Sequence, residues 1–446
     1  MEKSRKSFDK EFQNHTLASM APEVRTSNGQ LPSDCMGNSS DFVDDRGDSF
    51  PGFLFLSEGA RKELPHYKYR GCDKSLLYQY ILSPLAQWLV DHVVPRNVAP
   101  NTITLIGLVW MITAYLAYWF YVPTLEIVED PPRWIFLWNS ISILAYQTLD
   151  NMDGKQARRT GSSSPLGLLF DHGCDAINST FGSANWIIGM GLVPRENLLA
   201  CWTLLFGPFM LFYVSTWEQQ NTGELILPIM NGPNEGLVGA ALLSLTSYWL
   251  GTSFWQETSW YEGLQWIMPT FVPVLRNCDF VILASLFGFL QEVLIKTYLV
   301  TRDHPGSGTG LLPFAVFSLC FLWIGIVDPN VWLSIPRTSL HLAMILFTEM
   351  STEIMLAHVT GQRFQSFRLH LVPLVGIALW IRTMGYNPLL RYLLLAYTWT
   401  LAVYLMMKTV LVIQEICRVL KIWCFDIVSP YPKNTATKSK SHTKKD

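Results

Sequence analysis

Apolar runs alternate with short polar loops along most of this chain, from about residue 76 onwards. A helix needs roughly 20 apolar residues to cross about 30 Å of hydrocarbon, and most of the runs approach or reach that length. The pattern predicts ten membrane spans, which lie near residues 102–122, 133–150, 166–192, 198–216, 236–254, 278–300, 311–327, 336–358, 367–384 and 388–415. We therefore expect an all-α fold, a polytopic membrane bundle of about ten transmembrane helices.

The segments before and after these spans have a different composition. The first 52 residues are polar and poor in aromatic side chains, which is typical of a disordered tail. Residues 76–94 contain Pro84 and keep their polar residues on one side, as an interfacial helix does. We divide the chain into a disordered tail (1–52), an interfacial amphipathic segment (53–97), a membrane domain (98–427, with a catalytic core at about 98–250) and a basic tail (428–446).

The composition agrees with a membrane protein. Only 15% of the residues are charged, against roughly 25% in a soluble domain. The net charge of -2 argues against a nucleic-acid partner, which usually requires a basic surface. The eight cysteines form no C-x-x-C pair, so the sequence suggests neither a zinc site nor a disulfide framework.

The lysine-rich end of the chain predicts its orientation. By the positive-inside rule, the tail after residue 428 faces the cytosol. An even number of spans then places both termini on that side, together with the segment 151–165 between the second and third spans. We therefore expect the chemistry of that segment to face the cytosol.

Four aspartates have a regular spacing around this segment. Asp150 and Asp153 lie three residues apart at the end of one predicted helix, and Asp171 and Asp175 lie four apart on the next. Each pair can face one way, so two antiparallel helices would bring four carboxylates together. Carboxylates near the membrane boundary repel each other and resist desolvation, whereas hard divalent cations would neutralise their charge. The pattern predicts two Mg²⁺ or Mn²⁺ ions that clamp a pyrophosphate.

A structural cluster is the alternative for these aspartates, with Lys155, Arg158 and Arg159 balancing their charge. Under the metal interpretation, Arg158 instead makes a charge-assisted contact with a phosphate. Gly154 and Gly167 remove side-chain bulk where a ligand would approach the backbone. We therefore predict that Gly154, Arg158 and Gly167 bind substrate.

The whole segment 150–175 has the pattern D-x2-D-G-x2-A-R-x8-G-x3-D-x3-D. This is the full signature of the CDP-alcohol phosphotransferase family, and its alanine, Ala157, is a further predicted substrate-binding position. Outside the signature, the chain from about Tyr67 to Ile427 resembles the choline/ethanolamine phosphotransferases of eukaryotes, including those of plants and fungi. The resemblance is strongest in VAPNTITLIGL (98–108), YQTLDNMDGKQARRTGSSSPLG (146–167), FDHGCD (170–175), STWEQQNTGELILPIMNGPNEG (215–236) and the tenth span with its following ICRVLKIWCFDI.

The resemblance implies that CDP-choline or CDP-ethanolamine reacts with diacylglycerol, giving phosphatidylcholine or phosphatidylethanolamine and CMP. It implies a membrane enzyme of the endoplasmic reticulum or Golgi. Membrane lipid and a second copy of the chain, in a homodimer, are further candidate partners. An enzyme specific for ethanolamine is the alternative within the family. One position departs from the family pattern, because Leu168 replaces the usual glutamate of P-L-G-E-L-F-D-H-G.

This reaction requires a group that accepts the proton of the diacylglycerol hydroxyl. His172 is the favoured base, because an imidazole has a suitable pKa of about 6.5 and Asp175 follows it by three residues on the same helix. Two alternatives stay open. Asp175 itself could be the base if it binds metal weakly, or His172 could serve only to orient Asp175.

Three further residues are candidates for substrate binding. Asn101 follows Pro100 at the start of the first span, where it would orient the nucleotide or the motif loop, with helix capping as the alternative. Trp217 and Glu218 follow the fourth span, and an aromatic face beside a carboxylate would suit a choline or ethanolamine head group. The alternative there is an interfacial tryptophan anchor with a solvated glutamate.

Charged residues inside the later predicted spans have a simpler explanation. Glu349 and Glu353 lie one turn apart in the eighth span, and intramembrane carboxylates are functional candidates. They lie far from the motif in sequence, so we favour a structural packing role with His358 as the partner. Glu292 and Lys296 form an i,i+4 pair that needs only a structural explanation.

Two other classes of function fit parts of the sequence. A cation transporter also carries intramembrane carboxylates, but usually near the bilayer midplane and often in repeated halves. The acidic cluster here occurs once, near the predicted cytosolic edge. An inactive family member acting as a scaffold would lack a signature residue, and all eight are present. The sequence therefore favours a membrane-bound phosphotransferase.

Overall fold

Residues 53–432 are described by the computed structural model, and they fold mainly into helices. The predicted tail 1–52 and the lysines from residue 433 onwards lie outside the described residues. In chain order the helices are α1 (Glu58–Glu63), α2 (Ser83–His92), α3 (Pro100–Tyr121), α4 (Trp134–Thr160), α5 (Pro165–Gly189), α6 (Leu198–Thr222), α7 (Leu237–Leu250), α8 (Ser259–Leu264), α9 (Asn277–Asp303), α10 (Leu312–Val327), α11 (Asn330–Leu333), α12 (Pro336–Val359), α13 (Val372–Met384) and α14 (Pro388–Leu420). Two short strands, β1 (Gly71–Asp73) and β2 (Leu225–Leu227), pair in parallel.

The predicted helical bundle is confirmed, and a helix lies at each of the ten predicted spans. Among the described residues, six helical stretches are long and apolar enough to cross a membrane, namely α3, α6, α9, α12, α14 and Ser307–Val327, which is α10 with the helical turn before it. Helices α7 and α13 have 14 and 13 residues. These are fewer than the roughly 20 residues that a crossing needs. Helices α4 and α5 are long enough but carry the four aspartates. The chain is thus a helical membrane protein, while ten crossings stay a prediction.

The helix that carries Asp150 is longer than the sequence pattern predicts. Helix α4 continues to Thr160, so Asp150 and Asp153 lie inside it rather than at its end. The residues after Asp153 favour a helix until Gly161, which ends it with a left-handed φ of 69°. Ser164 then caps α5, because its hydroxyl accepts a backbone N–H at 3.2 Å. The short turn between these helices reverses the chain and turns the two aspartate pairs towards each other.

Helix α5 is held between other helices of the bundle. It packs against α3, α6 and α12. Gly107 of α3 lets that helix approach α4 closely, since a Cβ there would lie 3.3 Å from Tyr146 Cδ2. Next to α5, Phe209 of α6 stacks on Phe347 of α12 with ring centroids 4.1 Å apart. This packing fixes the helix that presents Asp171.

A segment before the first long helix crosses one end of the bundle. We call residues 53–75 the N-terminal strap. Leu56 and Leu64 of the strap are buried in a cluster with residues of α12 and α14, and β1 at its other end pairs with β2. Helix α2 follows the strap and exposes Trp88. An exposed apolar side chain of this kind suits a membrane surface, but the interfacial position of residues 53–97 stays a prediction.

Candidate metal and substrate site

Three aspartates meet between α4 and α5. Asp150, Asp153 and Asp171 each offer a carboxylate oxygen, and these three oxygens all lie within 4.8 Å of one another. Asp150 Oδ1 and Asp171 Oδ1 are buried and have no hydrogen-bond partner among the described residues. Burying a carboxylate oxygen without a partner is costly, and a divalent cation would satisfy it. The three residues therefore fit a hard metal ion.

Two hydroxyl groups fix neighbouring carboxylates. Thr104 of α3 donates a hydrogen bond to Asp153 Oδ2, and Tyr146 of α4 donates one to Asp175 Oδ1. Asp175 lies outside the group of three that could share one ion. Neither Thr104 nor Tyr146 belongs to the family signature, so neither was predicted from the sequence. Tyr146 could have been found from its position one helical turn before Asp150, because this spacing places the two residues on one face of α4.

The basic residues of the motif do not neutralise the aspartates. Lys155 donates a hydrogen bond to Ser83 Oγ at 2.8 Å, and Arg159 donates one to the carbonyl of Val94 at 2.7 Å. Both side chains therefore hold α2 against α4. Within residues 53–432, no lysine or arginine forms an ion pair with the four aspartates. The described ion pairs therefore give no support to the alternative of a self-neutralised structural cluster.

Arg158 differs from its two basic neighbours. It is exposed, and the structure gives it no hydrogen bond to another described residue. A Cβ on Gly154 would lie 3.5 Å from Arg158 Nη1, and a Cβ on Gly167 would lie 3.5 Å from Asn101 Oδ1. Both are ordinary contacts, so packing alone does not require either glycine. Ala157 is partly buried beside them. Substrate contact by these residues stays a prediction.

Asn101 joins two distant parts of the chain. Its Nδ2 donates a hydrogen bond to the carbonyl of Cys424 at 2.9 Å, in the segment that follows α14. The N-cap of α3 is Ala99, so the alternative of a capping role for Asn101 is wrong. The amide therefore fixes the start of α3 near the site, and a contact with the nucleotide stays a prediction.

Leu168 has an apolar environment. It packs against a cluster of the strap, α12 and α14 that includes Leu56, Val359 and Ile416. The position that departs from the family pattern therefore supports the attachment of the strap.

His172 lies on α5, and its ring faces α6. Its Nε2 lies 3.0 Å from Thr216 Oγ1, and its ring lies near that of Phe212 with centroids 4.4 Å apart. The hydroxyl of Thr216 donates to the carbonyl of Phe212 at 2.9 Å, so it accepts from Nε2–H. Nδ1 is then the nitrogen that can take a proton. Asp175 is bonded by Tyr146, so the structure gives the orienting role to that tyrosine instead of His172.

Trp217 and Glu218 are buried at the end of α6. Trp217 is 1% exposed, and its Nε1 donates to the carbonyl of Ser307 at 3.0 Å. Glu218 Oε2 pairs with Lys296 Nζ of α9 at 2.5 Å. The alternative of an interfacial anchor with a solvated glutamate is therefore wrong, because α9 and the turn before α10 cover both side chains. A head-group contact for Glu218 would require this ion pair to open.

Glu349 and Glu353 of α12 belong to a second buried ion cluster. Arg368 pairs with both carboxylates and lies 3.1 Å from Glu353 Oε2. Lys408 Nζ of α14 lies 2.5 Å from Glu353 Oε1 and 3.4 Å from Glu349 Oε1. These contacts agree with a structural role, but the predicted partner is wrong. His358 instead contacts a tyrosine of the strap at 3.0 Å.

This arrangement defines a helical membrane protein with a partly buried group of aspartates between α4 and α5. The sequence model of the family described as CDP-alcohol phosphatidyltransferase matches residues 97–224, which contain the four aspartates, Thr104 and Tyr146. Choline/ethanolaminephosphotransferase 1 of Arabidopsis thaliana is 32% identical over 386 residues, which cover 82% of this chain and 96% of that protein. Choline/ethanolaminephosphotransferase 1 of Saccharomyces cerevisiae is 30% identical over 355 residues, which cover 73% and 84%.

A third relative, uncharacterized CDP-alcohol phosphatidyltransferase class-I family protein 3 of Dictyostelium discoideum, is 29% identical over 410 residues, which cover 85% of this chain and all of that protein. The chain therefore belongs to the CDP-alcohol phosphatidyltransferase family. It is an integral membrane enzyme, a CDP-alcohol phosphotransferase. This confirms the predicted enzyme class over a cation transporter.

Proposed function

We propose that this enzyme transfers phosphocholine, phosphoethanolamine or both from the CDP-alcohol to diacylglycerol. The products are phosphatidylcholine or phosphatidylethanolamine, and CMP. The observation that carries the proposal is the group of three aspartates whose oxygens lie within 4.8 Å of one another, without a cationic partner among the described residues. The names of the plant and yeast relatives supply the two head groups.

The aspartates provide the place where the diphosphate would bind. We propose that Asp150, Asp153, Asp171 and Asp175 hold two divalent cations, Mg²⁺ or Mn²⁺. When bound, such cations supply positive charge that neutralises the diphosphate and the leaving CMP. The hydrogen bonds from Thr104 and Tyr146 keep two of the carboxylates in a fixed orientation. Arg158 adds a charge-assisted contact to a phosphate oxygen.

The transfer breaks one bond and forms another at a single phosphorus. The hydroxyl oxygen of diacylglycerol bonds to the phosphorus next to the choline or ethanolamine, and the bond from that phosphorus to the bridging oxygen breaks. CMP leaves with the bridging oxygen. His172 accepts the hydroxyl proton at Nδ1, since its Nε2–H is bonded to Thr216. A neutral imidazole can do this near neutral pH, whereas a carboxylate bound to cations is a weak base.

We further propose that the site faces the cytosol in the endoplasmic reticulum or Golgi membrane. The start of α3 and the segment after α14 lie at the same end of the bundle, joined by Asn101 and Cys424. The residues that follow carry five lysines, the last four of them within the final nine residues. Such a basic tail belongs on the cytosolic side.

The experiment is a transfer assay with the purified full-length protein in lipid nanodiscs. Diacylglycerol is offered with CDP-choline or CDP-ethanolamine, in Mg²⁺ or Mn²⁺, and CMP and phospholipid are measured. We expect turnover with at least one donor, its loss in EDTA and its return when the cation is restored.

Asp150→Asn should reduce turnover to background. Asp91→Asn changes an exposed aspartate outside the site and should not. Full activity in EDTA would contradict the metal proposal.

A further inference from the structure

The N-terminal strap is fixed at its first residues by a buried carboxylate. Glu415 of α14 is 2% exposed, and it accepts hydrogen bonds from the backbone N–H groups of Leu54 at 2.6 Å and Leu56 at 2.8 Å. Phe55 donates to the same carboxylate at 3.1 Å. Hydrogen bonds to a buried charge are among the stronger ones in proteins. This end of the strap is therefore held firmly against α14.

The strap is also fixed on the far side of the site. Its strand β1 pairs with β2, and Asp73 Oδ2 accepts a hydrogen bond from Asn234 Nδ2 at 2.7 Å. Ser75 donates to Glu235 Oε1 at 2.6 Å. Between these two attachments the strap passes the start of α5, because Tyr67 of the strap and Leu168 of α5 pack into the same apolar cluster. Asp171 lies about one helical turn after Leu168.

Tyr69 lies in the strap two residues before β1. Its phenol folds back over Gly71, where an added Cβ would lie only 2.2 Å from Tyr69 Oη. The side chain is about half exposed. Partial burial and the carboxylate of Asp171 raise the pKa of Tyr69, while the guanidinium of Arg158 lowers it. Tyr69 follows Tyr67 by two residues, which places it beside the start of α5. Its hydroxyl keeps its proton at neutral pH.

We propose that Tyr69 is a substrate-binding residue that donates a hydrogen bond from Oη to the diphosphate of the CDP-alcohol. This inference rests on the proposed function, because it assumes a diphosphate beside the aspartates. Among the described residues, no acceptor is bonded to the Tyr69 hydroxyl, so its proton is available to a ligand. Arg158 presents a second donor in the same region. The strap thus contributes one donor and α4 the other, and together they recognise the phosphates rather than the lipid.

The first test is Tyr69→Phe, which removes only the hydroxyl. The contact is made to bound substrate and persists during transfer, so the change should raise KM for the CDP-alcohol and leave kcat near the native value. We expect an increase of about tenfold to a hundredfold, the scale of a lost hydrogen bond to a charged acceptor. KM for diacylglycerol should not change. Tyr80→Phe is the matched control, because Tyr80 is 76% exposed and follows the strap in sequence.

The second test moves the phenol without changing it. Gly71→Ala places a Cβ where the Tyr69 ring now lies, and Gly71 does not have a positive φ, so the backbone accepts alanine. The ring must swing away, and KM for the CDP-alcohol should rise as in Tyr69→Phe. Gly59→Ala is the control on the same strap, since its nearest neighbour would be 3.8 Å from the new Cβ.

The two proposals fail in different ways. If the native enzyme turns over no CDP-alcohol, the proposed function is wrong. If the native enzyme is active but Tyr69→Phe keeps the native KM, the role of Tyr69 is wrong while the proposed function stands. A fall in kcat with unchanged KM would also overturn the diphosphate contact, because it would indicate an effect on the chemical step or on the fold.

Discussion

The ion pair between α6 and α9 permits a quantitative prediction. Lys296 Nζ lies 2.5 Å from Glu218 Oε2, 3.5 Å from Glu292 Oε1 and 3.0 Å from the carbonyl of Ile226. One ammonium group therefore joins α6, α9 and β2, which holds the strap. Lys296→Met would keep most of the length of the side chain but remove its charge. We expect this variant to fold less stably than a variant that removes Glu218.

The magnitude follows from what each variant leaves behind. The side chains of Lys296, Glu218 and Glu292 are only 6%, 9% and 13% exposed, so water screens these charges weakly. Lys296→Met leaves two buried carboxylates without a cation, which costs about 3–5 kcal/mol. Glu218→Gln leaves Lys296 with Glu292 and the carbonyl of Ile226, so the cost should be about 1–3 kcal/mol. In the double variant the two costs should not add, because the pair is removed as a unit.

Thermal unfolding in detergent, followed by the fraction of protein that stays monodisperse, measures this order. Lys296→Met should have the lowest unfolding midpoint of the single variants. The decrease of the midpoint in the double variant should be smaller than the sum of the decreases in the two single variants. Strictly additive shifts, or a native midpoint for Lys296→Met, would refute the argument from charge compensation. If Glu218→Gln kept the native midpoint but raised KM for the CDP-alcohol, Glu218 would regain its predicted role at the head group.

Two other predictions concern the proton acceptor and the orientation of the chain. His172→Gln should lower kcat by about 10²–10⁴, the scale of a lost general base, with little change in KM for the CDP-alcohol; near-native turnover would make Asp175 the leading candidate. Protease or a thiol-directed label added to sealed microsomes should reach a tag or cysteine placed in the C-terminal tail, and protection until detergent is added would reverse the proposed topology.

Local features of the sequence were sufficient for the helices and the aspartates. Hydrophobicity is a property of each run by itself, so every predicted span has a helix in the structure. The spacing of Asp150, Asp153 and Asp171 is also local, and the turn at Gly161 needs only neighbouring residues to bring these carboxylates together. The family signature lies within 26 residues, 150 to 175, and could be recognised without a fold.

The partners of buried polar groups depended on the tertiary structure. Glu218 pairs with Lys296, which is 78 residues away, and Asn101 bonds Cys424, which is 323 residues away. The sequence pattern shows that a charged residue lies in an apolar environment but not which cation will compensate it. Thr104 belongs to the same category, because helix packing brings its hydroxyl to Asp153. Sequence by itself determined where the helices and the four aspartates lie, and folding decided which side chains surround them, because burial forces each polar group to find a partner wherever the packed helices place one.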